Sequence, residues 1–202
     1  LALITAAEAR VYIPGLTSTG EDTNLDTLIG RADSVMAAWC GFPPASAGAD
    51  PTLEDVTYTH YFDGPMTGDG RALMLQVVPV ASVTTAKTDT GGDWAYATTI
   101  GSGDRTLDGV RGFLYVNPDA SDGWVVGSRA NEVVYVAGYA TIPGAIKHAC
   151  GVLVAHWWRL RKERGKSSVS AGGSNVNTRD ETLPDEVKQI LSPFRLMDGF
   201  IG

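Results

Sequence analysis

The stretch NEVVYVAGYATIPGAIKHACGVLVAHWWRLRKER, Asn131 to Arg164, decides the fold, because a strand pattern hands over to a helix pattern within a few residues. Val133, Val134, Tyr135 and Val136 are β-branched or aromatic and read as a strand, which Gly138 and Tyr139 break. Pro143 suits a first helical turn, where its missing N–H would have no intrahelical partner. Beyond it Ile146, Cys150, Leu153, Val154, Trp157 and Leu160 recur at three- and four-residue spacing, which predicts one apolar helix face. Arg159, Arg161, Lys162 and Arg164 place cations where the helix dipole favours them, and Gly165 ends the run.

Upstream of this stretch, Thr5 and Glu8 have the spacing of a capping box, so a short helix is expected over Ala6 to Tyr12, stopped by Pro14 and Gly15. A second helix is expected with Asn24 as its cap and Leu25, Leu28, Ile29, Ala32, Val35, Met36 and Trp39 on its apolar face, ending at Gly41-Phe42-Pro43-Pro44. From Glu54 to Val136 the period changes to two. Val56, Tyr58, His60 and Phe62 alternate with Thr57, Thr59 and Tyr61, and further strands are expected over Ala72–Val77, Ala81–Thr88, Phe113–Val116 and Trp124–Val126. Turns are expected at Asp63-Gly64-Pro65, Gly68-Asp69-Gly70, Gly91-Gly92 and Asp108-Gly109. Helices before and after a block of strands predict an α+β fold with an inserted antiparallel β unit, not alternating βαβ units.

The expected boundaries are N-terminal core helices over 1–50, the β unit over 51–137, the long core helix over 138–165, a polar tether over 166–182 and a C-terminal amphipathic segment over 183–202. That last segment, LPDEVKQILSPFR, has Pro184 and two acids in its first turn and Leu183, Val187, Ile190 and Leu191 on one side. Composition leaves open whether it docks on a neighbour or folds back on its own domain.

The chain has 202 residues, 44% hydrophobic and 19% charged, and no apolar run long enough to span a bilayer. LALITAAEAR lacks a basic leader and does not read as a signal peptide, so assembly in the cytosol is expected. A formal charge of −7 argues against gripping phosphate backbones as the main work, yet an acidic wall is compatible with DNA passing without adhesion. Two cysteines, Cys40 and Cys150, are too few for a disulfide framework and read as small buried hydrophobes.

No constellation for catalysis stands in the sequence. His148 and His156 are about two helical turns apart, too far to share one metal, and there is no HExxH or CxxC. Asp63 and Asp69 flank a turn without the ligand spacing of a calcium loop. Gly101-Ser102-Gly103 lacks the context of a nucleophile elbow, and no phosphate-cradling glycine motif is present. No catalytic residue, metal site or cofactor is therefore expected, and the chain is not expected to be an enzyme. Trp39 and Trp157 fall on apolar helix faces, whereas Trp158 falls beside the stripe and is the more exposed candidate for a subunit contact. A second reading makes the β unit a ligand- or glycan-binding module with Trp94 and Trp124 as platforms.

Several phrases together resemble the head-to-tail connector, or adaptor, proteins of long-tailed bacteriophages and gene transfer agents: LITAAEAR, LDTLIGRADSVMAAWCGFP, HYFDG, LMLQVVPVASVTT, VVYVAGYATIPGAIKHACGVLVAHWW and LPDEVKQILSPFR. The resemblance implies a homo-oligomeric, dodecameric ring in the virion neck, assembled in the host cytoplasm beneath the portal protein. It also implies DNA passing through the channel without sequence-specific binding, a further neck or tail-completion protein on the other side, and no membrane. It carries the portal interface onto Leu183, Val187, Ile190, Leu191, Phe194 and Arg195. The matching helices, near Leu25–Trp39 and Ile146–Arg164, would form the core and the sides of adjacent subunits. Trp158, beside the apolar stripe, and the cationic Arg159 and Arg161 at the helix end are the candidate inter-subunit residues.

Overall fold

In the computed structural model the described residues are 2–65, 70–161, 170–171, 174–175 and 183–196. They form two compact units, one within Leu1–Cys40 and Ile142–Arg195, the other from Gly41–Thr141 with Leu196. The first is helical and the second is built of antiparallel strands, so the fold is α+β as expected.

The helical unit opens with α1, Ala6–Val11, whose capping box is complete: Thr5 Oγ1 accepts the Glu8 N–H at 3.2 Å, and the Thr5 N–H donates to Glu8 Oε2 at 2.7 Å. Helix α2 runs over Asp22–Cys40 and begins earlier than expected. Ser18 Oγ accepts the Gly20 N–H at 3.1 Å and starts a 3₁₀ turn, Thr19–Glu21, that leads straight into it. Asn24 is therefore not the cap; it lies inside the helix and donates from Nδ2 to Glu21 at 2.7 Å. The buried face is Leu25, Ile29, Ala32, Met36, Ala37 and Cys40, with Leu28, Val35 and Trp39 half-buried on its flanks.

Helix α3, Gly144–Arg161, begins directly after Pro143, whose carbonyl accepts the Lys147 N–H at 3.1 Å. Steps of four from Ile146 through Cys150 and Val154 carry the buried line to Trp158, which is only 5% exposed. Trp157 is half-buried at the flank, with the Arg31 guanidinium 5.0 Å from its ring centroid. The expected exposures of the two tryptophans are thus reversed. Gly151 sits where a Cβ would lie 2.6 Å from Tyr12 Cδ2, so the α1–α3 approach depends on a missing side chain. Helix α4, Asp185–Leu191, is followed by a 3₁₀ turn, Ser192–Phe194, and packs on α3. Pro184 stands at its N-cap, one position before the first turn.

In the other unit the strands are β1 (Val56–Phe62), β2 (Ala72–Met74), β3 (Val80–Thr88), β4 (Thr98–Thr99), β5 (Arg105–Asp108), β6 (Phe113–Val116) and β7 (Asn131–Ala137). They make a four-stranded sheet in the order β1-β7-β3-β4 and a three-stranded sheet in the order β2-β6-β5, all antiparallel. Strand β7 is central and alternates as its sequence predicts, with Asn131, Val133, Tyr135 and Ala137 buried. Gly138 follows at φ +116°, and a Cβ there would meet the backbone of Glu54 and Asp55.

Three strand expectations change. The β2 segment is shorter than expected, and the two-residue β4 and the β5 strand were not anticipated. Trp124–Val126 is not a strand, because its backbone bonds to a side chain in place of a ladder. Asn131 Oδ1 accepts the Val125 N–H at 2.9 Å, and Asn131 Nδ2 donates to the Val125 and Phe62 carbonyls at 2.7 and 3.1 Å. The turn expected at Gly68-Asp69-Gly70 falls largely outside the described residues, as do the end of the long helix beyond Arg161 and nearly all of the 166–182 tether. Within that tether Ser170–Ala171 pairs antiparallel with Ser174–Asn175.

Candidate functional site

Two histidines pair with tyrosines. Tyr12 Oη lies 3.2 Å from His148 Nδ1, and His60 Nδ1 lies 2.8 Å from Tyr135 Oη, which also accepts the Val77 N–H at 3.3 Å. Burial pushes the His60 pKa below its ordinary value and the Tyr135 pKa upward. His156 Nε2 is buried without a hydrogen-bond partner among the described residues. Cys40 and Cys150 are fully buried, and burial pushes their thiols to about 11 and about 12. Among the described residues, no group of three or more His, Cys, Asp or Glu could hold a metal ion, and no helix is long and apolar enough to cross a membrane.

The surface features are more specific. In the helical unit a groove of about 390 Å³ lies between the loop after α1 and the end of α3. Ile13, Pro14, Leu16 and Trp158 give it apolar walls, and Glu21 and Arg161 close one side. Arg161 Nη1 is 3.3 Å from Glu21 Oε2, and its guanidinium lies 3.9 Å from the Trp158 ring centroid. Hydrogen bonds from Asn24 first, then from Arg161, hold the Glu21 carboxyl below its ordinary range. Arg159 also lines the groove and is exposed. The three inter-subunit candidates therefore share one groove, with Trp158 as its wall. Sequence reading missed the Ile13–Leu16 side, because Pro14-Gly15 signals only a helix stop.

In the β unit the loop between β3 and β4 presents Trp94, 63% exposed, beside an exposed Asp93. Asp89, 5% exposed, accepts the N–H groups of Gly91 and Gly92 at 3.0 Å and of Trp94 at 2.6 Å. Burial opposes its ionisation, but the backbone donors outweigh that and hold the carboxyl below its ordinary range. Trp124, the other expected platform, is 8% exposed and donates from Nε1 to the Arg71 carbonyl at 3.1 Å. It is a core residue.

The C-terminal candidates divide. Leu183, Val187 and Leu191 are buried in the chain's own fold at 8%, 0% and 0% exposure, whereas Ile190 and Phe194 are half-buried and Arg195 is exposed, its guanidinium 5.1 Å from the Trp39 ring centroid. Of the two alternatives open from composition, folding back accounts for the buried three. Apolar spacing reveals such a face and cannot say which chain covers it.

The fold is α+β, and its helical unit carries an apolar groove lined also by Arg159 and Arg161. The chain belongs to the Head completion protein family, which it matches over residues 2–197. Its fold is similar to that of a chain in the neck of an empty gene transfer agent (GTA) particle computed with C6 symmetry, at TM-score 0.60 and 18% identity over 99% of this chain and 93% of that one. A chain of the native GTA virion gives TM-score 0.57 at 15% identity, covering 99% and 93%. One in the neck of a native GTA particle computed with C12 symmetry gives 0.56 at 16%, covering 98% and 91%. No curated protein sequence matches. Family membership makes the chain a head completion protein.

Proposed function

We propose that the chain is a non-enzymatic adaptor subunit that forms a ring between the portal protein and the next neck or tail component, with DNA passing through the channel. The observation that carries this is the family match over 2–197, and the similarity in fold to chains of particles solved with C6 and C12 symmetry supports it. Ring closure needs two unlike complementary patches on one chain. The charge of −7 suits a channel that DNA traverses without adhering.

With Leu183, Val187 and Leu191 occupied internally, the portal contact falls to Ile190, Phe194 and Arg195 together with the residues that follow. Exchanging Ile190 and Phe194 for Asp is expected to leave the purified protein folded by circular dichroism and to yield filled heads without tails. Normally tailed particles from that variant would refute the portal contact, and an image of the neck with its symmetry counted tests the ring. The glycan-binding reading loses ground with Trp124 buried, because a single exposed Trp94 makes a poor sugar platform.

A further inference from the structure

We infer that the Trp94 loop of one copy seats in the groove between the Ile13–Leu16 segment and Trp158 of the next copy, and that this contact closes the ring. The inference rests on the ring reading above and names the two patches that reading requires.

The loop is built to present its aromatic ring. Trp94, Tyr96 and Arg129 adopt φ of +59°, +48° and +53°, a left-handed conformation that costs energy in non-glycine residues and persists only when the surroundings impose it. Those surroundings are visible. Asp89 gathers three backbone N–H groups, Tyr96 Oη donates to the Arg129 carbonyl at 2.8 Å, the Arg129 guanidinium lies 4.3 Å from the Tyr61 ring centroid, and the Tyr61 and Tyr96 rings are 5.5 Å apart. A rigid loop loses little entropy on binding, and an exposed tryptophan on such a loop is the kind of anchor that dominates interfaces.

The groove offers the complementary shape and charge. Its volume of about 390 Å³ accommodates an indole, and Ile13, Pro14, Leu16 and Trp158 supply apolar and aromatic walls. At its rim two guanidiniums, Arg159 and Arg161, stand against one carboxylate, Glu21, and leave an excess positive charge. The knob carries the opposite sign in exposed Asp93, next to the indole. Apolar ring beside carboxylate meets apolar walls beside guanidinium, so this chain holds both halves of one head-to-tail contact. Repetition of such a contact closes into a ring when the rotation permits.

The test uses assembled necks containing the full-length chain with Asp93→Cys and Arg159→Cys together, treated with a short bis-maleimide. Cys40 and Cys150 are buried with raised pKa, so the introduced thiols react alone. The expected result is a ladder of linked dimers, trimers and higher species that neither single substitution gives. An internal link confined to monomers, or no link in necks of normal appearance, would overturn the contact while leaving the neck role standing. A neck in which this subunit forms no ring would overturn the reading beneath it. As a second arm, Trp94→Ser should cut incorporation at least tenfold without unfolding the protein. Asp93→Arg or Arg159→Asp alone should impair assembly, and the two together should restore it; unchanged assembly in all of these variants also overturns the proposal.

Discussion

The two units are held together differently. The interior of the helical unit is apolar, with Leu25, Ile29, Met36, Ile146, Leu153 and Leu191 fully buried. Its ion pairs, among them Arg10–Asp22, Lys147–Glu8 and Arg161–Glu21, lie at or near the surface, where solvent screens them and they add little. Among the described residues, the buried polar ones, Thr88, Asp89 and Asn131, all belong to the β unit. There Arg105 also donates to the Ile100, Val83 and Thr84 carbonyls at 2.8, 3.1 and 3.3 Å. Burial depresses the pKa of that guanidinium, so carbonyl acceptors replace the water it lost. One unit is specified by the spacing of its apolar residues, the other by polar side chains that fasten loops no ladder reaches.

That contrast can be broken by experiment. The largest effect is expected from Leu191→Ala, which empties a fully buried site on α4 and should cost about 3 kcal/mol in urea unfolding. Hydrogen exchange should quicken in α2 and α3 and stay slow in β1, β3 and β7; equal loss in both units would show a single cooperative structure. Asn131→Ala should cost roughly 2 kcal/mol, because three backbone groups lose their partner, with exchange quickening around Val125 and Phe62. Loss of protection in α3 instead would contradict the division.

The smallest effect is the pH dependence carried by His60. Its pKa is lowered in the folded state, so as pH falls through the ordinary histidine value near ~6.5 the unfolded chain takes up its proton first. Stability is then fully present above that pH and falls below it until the lower folded pKa is reached. His60→Gln should flatten this slope in melts between neutral and mildly acidic pH, and an unchanged slope would assign it elsewhere.

What the sequence made legible follows the same division. Apolar spacing located α2, α3 and α4, and period-two alternation located β1 and β7, because each pattern repeats over several residues. Asn24 was misplaced because a capping residue is read from one position, and Ser18 begins the turn six residues earlier. The Trp157/Trp158 reversal has a similar origin: a shift of one residue turns a side chain by about 100° on a helix. Trp124–Val126 looks like a strand by composition, and only the three hydrogen bonds of Asn131 explain why it is a loop. The groove joins Ile13 to Trp158 across most of the chain, and the Trp94 loop owes its shape to Asp89 and Arg129, so neither surface has a local signature.

The central position of β7 also sets the order of events during synthesis. Strands β1 and β3 each pair with β7, so the main sheet cannot close until Ala137 has left the ribosome, and α2 then waits for α3. At ordinary elongation rates the wait from the synthesis of β1 to that of β7 is on the order of ten seconds. Throughout it β1 and β3 expose unpaired edges, and the nascent chain depends on non-local contacts that are slow to form. The same thirty-odd residues that join strand to helix therefore act as a late trigger, closing the main sheet and then giving α2 its partner, with α4 still to follow.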